Sequence, residues 1–269
     1  VNDRNDLPLL VTGATGVLGR EVLRHARTTG RPVRALTRRT AHPGHPTDTG
    51  TGTGTNSDTD WYTGDLTAGT GLDAAFAGVD AVIHCASDPR HPKNDLPAFH
   101  HLLDAARRAG VRHVVNISIV GVDRIPMNYY RIKLRGEQLL AASGLGWTNL
   151  RATQFPQLLD GMLGSLAKLP LLPMVSRTPV QPVHPAEVAA RLVELALGEP
   201  VGRAPDFAGP ETRLATDLAA DWLRSTGRRR PVLPLHLPGR AGRALREGAL
   251  TAPRNAYGTR SWAEYLAGK

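Results

Sequence analysis

The stretch Leu7 to Gly19, LPLLVTGATGVLG, constrains the chain more than any other. Leu9, Leu10 and Val11 form an apolar run without polar alternation, the pattern of a strand buried on both faces of a parallel sheet. Gly13, Gly16 and Gly19 follow three residues apart, and an amphipathic run begins among them. Its Leu18, Val22, Leu23 and Ala26 recur at helical spacing, with Arg20, Glu21, Arg24 and Arg27 outward. Each glycine has a task in such a turn. Gly13 permits the tight turn off the strand, Gly16 lets backbone approach a pyrophosphate, and Gly19 lets the helix pack closely on the sheet. The helix N-terminus, framed by Thr15, Val17 and Leu18, offers N–H groups and a positive dipole end to phosphates. Glycine triplets are commonplace in a chain with 28 Gly; the place of this one, between a buried strand and a helix, points to dinucleotide binding.

TGATGVLG resembles the TGxxGxxG fingerprint of extended and atypical short-chain dehydrogenases/reductases, including the NmrA-like NAD(P)H-binding branch. Later stretches extend the likeness over nearly the whole chain. The resemblance implies an α/β fold, a Rossmann doubly wound parallel sheet with a smaller C-terminal substrate lobe. The core is expected over residues 1–155 and the lobe, interleaved with it, over 156–269.

A length of 269 residues suits one large α/β domain with a smaller lobe, and 41% hydrophobic residues suffice for a substantial core. The single cysteine, Cys85, excludes a disulfide framework and fits a reducing compartment. No signal peptide is visible and no apolar run approaches the ~20 residues of a membrane span, so a cytoplasmic protein without membrane contact is expected. The net charge of +9 is scattered, and aromatic residues make up only 5%, so the charge reads as a solvated surface rather than a nucleic-acid interface. Of 33 basic residues only Lys93, Lys133, Lys168 and Lys269 are lysine. A lysine inside an arginine-flanked segment therefore hints that lysine chemistry is needed there.

Pro32 to Thr37 reads as a second strand. An NAD-specific site places a carboxylate about 20 residues past the glycines, on the ribose 2′-hydroxyl. Thr37-Arg38-Arg39 stands there instead, and a guanidinium at Arg38 offers a planar fork to a 2′-phosphate. NADPH (NADP) is the expected cofactor. Ala41 to Asp60 is low in complexity, nearly devoid of apolar side chains, and reads as a mobile inserted loop. A third strand starts at Trp61 and closes with Gly64-Asp65-Leu66, which in the resembled family lies beside the adenine; by chemistry alone a turn or cap aspartate fits Asp65 equally well. Asp80 to Ala86 reads as the fourth strand, and its end, His84-Cys85-Ala86-Ser87, resembles the segment under the cofactor ribose. His84 has no second ligand at a useful spacing, so no metal is expected, and Cys85 reads as a small buried hydrophobe. A helix from Leu96 to Ala109 and a strand from Val111 to Ser118 continue the βαβ alternation of a parallel sheet, whose ligands sit at the carboxyl ends of the strands.

Ser118 closes that fifth strand, and Tyr129-Tyr130-Arg131-Ile132-Lys133 follows. Tyr129 and Lys133, four apart, share a helical face, so a hydroxyl and an ammonium can converge on one reacting oxygen. A fixed cation lowers a phenol's pKa from ~10 toward the working range. Ser118 can share the developing charge on the substrate oxygen, and the lysine head can also bond ribose hydroxyls. The set resembles the Ser–Tyr–Lys group of the short-chain reductases, here Ser118, Tyr129 and Lys133, whereas Tyr130 has Leu134 at i+4 and no cation. The asparagine that many of those enzymes add has no evident match. Leu158 to Val175 is apolar and broken by Gly and Pro; a packed helix and a substrate lid fit its composition equally well. Pro179 to His184 and the helix after it resemble the smaller lobe of the family, with His184 as a cap.

These features predict an NADPH-dependent oxidoreductase acting on a small, apolar or aromatic carbonyl or quinone-type substrate, with the oligomeric state open. A non-catalytic NADP(H)-sensing NmrA-like regulator and an epimerase or dehydratase using the cofactor transiently are the alternatives.

Overall fold

The structure, a computed structural model, describes residues 6–38, 59–89 and 91–269. β1 (Leu9–Thr12) is wholly buried, pairing in parallel with β2 (Val33–Thr37) on one side and β4 (Ala81–His84) on the other. Between β1 and β2 lies α1 (Val17–Arg27), which buries Leu18, Gly19, Val22, Leu23 and Ala26. β3 (Thr59–Thr63), β5 (His113–Ile119), β6 (Gly146–Ala152) and β9 (Gly202–Arg203) complete a seven-stranded sheet in the order β3-β2-β1-β4-β5-β6-β9. The order reverses between β1 and β4, the crevice where doubly wound sheets bind ligands. The expected α/β Rossmann architecture is therefore present.

One face of the sheet is covered by α2 (Leu72–Phe76), α3 (Asp95–Arg108) and α4 (Asn128–Ala141). Leu10, Val82 and Val114 pack there with Phe76, Phe99, Leu102, Leu103 and Leu140 in one buried cluster. Because side chains alternate along a strand, Leu9 and Val11 point to the other face, where α1 lies against β1 and β2. Burial on both faces is the reason these strands carry no polar alternation.

β3 begins two residues earlier than the sequence pattern predicts: Thr59 and Asp60 pair with Val33 and Arg34. As the sheet's edge strand it is held by backbone bonding to β2, so polar side chains do not stop it. The rest of the expected insertion, 41–58, and Arg39 lie outside the described residues.

The chain divides into two compact units. The first comprises Val1–Ile117, Ile132–Leu150 and Ala189–Ala204, and the second Ser118–Arg131, Arg151–Val188 and Pro205–Lys269. Much of α6 (Pro185–Leu197) thus returns to the first unit, past the expected boundary near Phe155. The second unit holds α5 (Pro156–Leu166), β7 (Leu172–Val175), β8 (Pro179–Val180), β10 (Arg213–Leu214), α7 (Ala215–Ser225), β11 (Val232–Leu235), α8 (Gly239–Arg246) and α9 (Trp262–Ala267). Its core gathers Leu163, Leu172, Met174, Leu218, Trp222 and Trp262. α5 joins that core through Leu163 while Leu158 and Met162 stay exposed, so the segment has one packed side and one open apolar side. His184 Nδ1 accepts from the Ala186 N–H (3.2 Å) at the start of α6.

Candidate functional site

The turn after β1 is shaped by backbone contact. Gly13 has φ of 68°, and a Cβ there would lie 2.6 Å from Ala86 N, so no other residue lets the turn rest on the end of β4. A Cβ at Gly19 would stand 2.1 Å from the Gly13 carbonyl oxygen, which ties the start of α1 to the turn. Gly16 is the N-cap residue, in extended conformation, and the first turn of α1 carries no acidic residue. The first N–H groups of the helix have no intrahelical acceptors, so the cradle presents donors and a positive dipole end.

Beside this turn is a cleft of about 240 Å³, formed wholly within the first unit. Of the residues expected to bind cofactor, Gly13, Thr15, Gly16, Arg38, Asp65, Leu66, Ala86 and Ser87 line it. They come from the ends of β1, β2, β3 and β4, so strand order brings together residues up to 74 positions apart. Val17 is exposed at the helix start, whereas Leu18 and Gly19 point into the core and can offer only backbone. Asp65 Oδ1 accepts from Thr67 N–H (2.7 Å), closing a turn while the residue also lines the cleft.

Lys133 borders a second, smaller cavity together with His84, Ala86, Asp95, Leu96, Phe99 and Asn116, again within the first unit. Its Nζ donates to the Ile117 carbonyl (3.2 Å). Burial pulls Lys133 below an ordinary lysine, and Asp95, Glu137 and Cys85 pull it back. Burial, assisted by the Lys133 charge, drives His84 down to about 3, so the ring is neutral; it shares a hydrogen bond with Thr12 Oγ1 (2.8 Å) and sets its edge against Phe99. Cys85, expected to be buried, is half-buried and lines the cleft; desolvation pushes its thiol up to about 12, which favours the protonated form.

Ser118 and Tyr129 belong to the second unit, and α4 carries Tyr129 one turn before Lys133. Ser118 is buried, and among the described residues its Oγ has no hydrogen-bond partner. The Tyr129 ring meets Tyr130 edge-on at 6.3 Å. Tyr130 packs against Ile125, Ala244 and Leu245, and burial, then the Tyr129 hydroxyl, pushes its own up to about 12. Among the described residues no group of three or more His, Cys, Asp or Glu side chains could hold a metal ion, and no helix is long and apolar enough to cross a membrane.

Asp95 and Asn116 carry no distinguishing signal in the sequence. Asp95 opens α3 and lines both cavities. Its signal, an acidic residue in the first turn of a helix, is one that any helix start can show.

Sheet order, reversal point and glycine turn define a Rossmann-type dinucleotide-binding protein. The chain belongs to the NAD(P)H-binding family, whose model matches residues 13–194. It is 35% identical, over 224 residues, to the (4-alkanoyl-5-oxo-2,5-dihydrofuran-3-yl)methyl phosphate reductase of Streptomyces griseus, an alignment covering 82% of this chain and 74% of that protein. A photosystem II assembly factor of Cyanophora paradoxa is 31% identical over 169 residues, 60% of this chain, which spans about half (49%) of that protein's length. Among solved structures, an NADPH-dependent quinone oxidoreductase of Escherichia coli complexed with NADPH has the same fold, with a TM-score of 0.75 at 18% identity over 97% of this chain and 99% of that one.

Proposed function

We propose that the protein is an NADPH-dependent reductase of the atypical short-chain, NmrA-like kind, reducing a small oxo compound. The observation that carries this reading is the cleft: Gly13 brings the turn against the end of β4, and β2 ends in Thr37-Arg38, without a carboxylate. These residues fit a dinucleotide carrying a 2′-phosphate. Gly13, Thr15 and Gly16, with the N–H groups of Val17, Leu18 and Gly19, would hold the pyrophosphate, and Arg38 the 2′-phosphate. Asp65 and Leu66 would flank the adenine, and Ala86, Ser87 and Lys133 the ribose. Bound there, NADPH supplies the hydride.

The chain's own part is to manage the substrate oxygen. Tyr129 is the proton donor in this reading, Ser118 donates a hydrogen bond with its unpartnered Oγ, and Lys133 supplies the fixed positive charge that eases loss of the tyrosine proton. Tyr130 is unsuited, because it is half-buried against an apolar cluster and holds its proton more tightly than an ordinary tyrosine. Residues 156–269 are the substrate lobe in this reading, and within them Leu158 and Met162 are exposed apolar side chains. The Streptomyces relative supports this class of substrate: its name specifies an oxo compound with an alkanoyl group, and also a phosphate, which suits a chain of net charge +9. The likeness to an assembly factor favours, as second reading, a regulator that binds NADPH without turning it over.

A panel of quinones, aromatic ketones and alkanoyl lactones with and without a phosphate, followed by NADPH absorbance, separates the two. Substrate-dependent NADPH oxidation supports the reductase; tight NADPH binding with no oxidation across the panel moves the regulator ahead. For the cofactor, calorimetry should show NADPH binding more tightly than NADH. Charge-assisted bonds of this kind contribute about 1.5–3 kcal/mol, so Arg38→Ala should weaken NADPH by roughly tenfold or more and leave NADH nearly unchanged. Equal loss for both cofactors would remove the 2′-phosphate role.

A further inference from the structure

Asp95 occupies a place that neither the glycine turn nor the tyrosine–lysine pair explains. It stands at the first residue of α3, where the chain leaves β4 through Ser87 and Asp88, and it lines both the open cleft and the small cavity beside Lys133. Both carboxylate oxygens are engaged on the cleft side: Ser87 Oγ donates to Oδ2 (2.6 Å) and the Asp88 N–H donates to Oδ1 (2.9 Å). These bonds hold the turn that floors the cleft and fix the carboxylate at the cavity's rim. Besides Asp95 the cavity is lined by Ala86, Leu96, Phe99, Ile132 and Gly136 and by three polar residues, His84, Asn116 and Lys133.

An ammonium in such a place is costly unless a negative charge faces it. Among the described residues the titratable groups that bear on Lys133 are few. His84 on β4 is neutral and tied to Thr12, Cys85 is protonated, and Glu137 sits one turn further along α4 itself. Asp95 is the carboxylate that another element, α3, brings to the cavity wall. A neighbouring carboxylate, Asp88, is engaged by His91, whose Nδ1 lies 3.1 Å from its Oδ2.

We propose that Asp95 is a positioning residue for Lys133: pinned by the Ser87–Asp88 turn, its carboxylate is the counter-charge to the half-buried Lys133 ammonium in the reacting group. This rests on the reductase reading for its purpose, but the electrostatic claim can be tested without cofactor or substrate. It joins two features that the sequence keeps apart, the turn that floors the dinucleotide cleft and the ammonium carried by α4. A wholly structural Asp95 would hold the turn equally well as an amide and leave the lysine as it is.

The chain's lysine content makes the measurement direct. Only four lysines are present, so a protein labelled with carbon-13 at the lysine ε position gives four resonances, and the one missing from Lys133→Arg belongs to Lys133. Asp95→Asn keeps hydrogen-bonding capacity toward Ser87 and Asp88 but removes the charge. The Lys133 midpoint should then fall by about one pH unit or more, with the other three lysines unmoved. Asp95→Glu, which keeps the charge, should leave the midpoint near that of the unaltered chain. If Asp95→Asn does not fold, Asp95→Ser is titrated in its place with the same expected fall. A midpoint that stays within about 0.3 unit, or that moves equally for the amide and for Glu, overturns the proposal. Absence of NADPH binding by the unaltered chain would instead remove the reductase reading and leave the titration result standing.

Discussion

Tyr129→Phe is expected to reduce turnover by roughly 10²–10⁴-fold, the usual contribution of a positioned acid or base, while NADPH binding stays nearly intact. Only the hydroxyl is lost, and the ring keeps its edge contact with Tyr130. Tyr130→Phe is the internal control and should be mild in its effect on rate, since that residue packs against an apolar cluster and burial raises its hydroxyl above an ordinary tyrosine. Lys133→Arg should be damaging although charge is kept, because a planar fork does not fit where a compact ammonium bonds the Ile117 carbonyl. Steady-state rates on a substrate found in the panel decide the matter. A Tyr129→Phe protein turning over at near-normal rate would withdraw the proton-donor assignment.

Asp80→Asn should destabilise the first unit by about 3–5 kcal/mol, the usual result of breaking a buried ion pair from one side. Asp80 lies at the amino end of β4, at the sheet edge opposite the cleft. Its carboxylate takes Arg31 Nη2 at 3.0 Å and Arg112 through Nε and Nη2 at 2.8 and 3.1 Å. The Asp80 and Arg31 side chains are each only 4% exposed, so removing the acid leaves a guanidinium buried without a counter-charge. Burial alone would raise this carboxyl, but the hydrogen bonds from Arg112 and Arg31 outweigh it and hold the group below its ordinary value. A carboxyl whose folded pKa is depressed stabilises fully above its unfolded pKa and loses that contribution as pH falls through the folded one. Denaturant titrations should therefore show the whole deficit at neutral pH and a shrinking one below about pH 4. A deficit under about 1 kcal/mol at neutral pH, or one that ignores pH, would show the network to be worth no more than a surface pair. NADPH affinity below the melting transition should be unchanged, since the pair is remote from the cleft.

Much of the fold was legible because it is locally encoded. β1, the glycine turn and α1 are consecutive, and each choice in them answers to a neighbour in sequence: Gly13 to its positive φ, Leu18, Val22 and Ala26 to one buried helix face. Strands buried on both faces announce themselves by unbroken apolar runs. β3 was harder to delimit, because an edge strand can be polar where its backbone bonds suffice, as at Thr59 and Asp60. Arg38 was conspicuous through a missing carboxylate, which is a local departure from a local pattern. Asp95 was not, since an acidic residue at a helix start looks the same whether it caps, binds or faces a lysine.

By itself, then, the sequence determined the parallel α/β architecture, the dinucleotide turn and membership of an NAD(P)H-binding family, because strand burial, helix period and glycine chemistry act over a few residues. Only the tertiary structure decided which distant residues meet. Asp80 joins Arg31 and Arg112 from 49 and 32 positions away, and Asp95 reaches the cavity of Lys133. It likewise decided that residues 189–204 return to the first unit after the chain has entered the second. The physical reason is that charge pairing and desolvation depend on distance and burial in space, and neither is written in the spacing of residues along the chain.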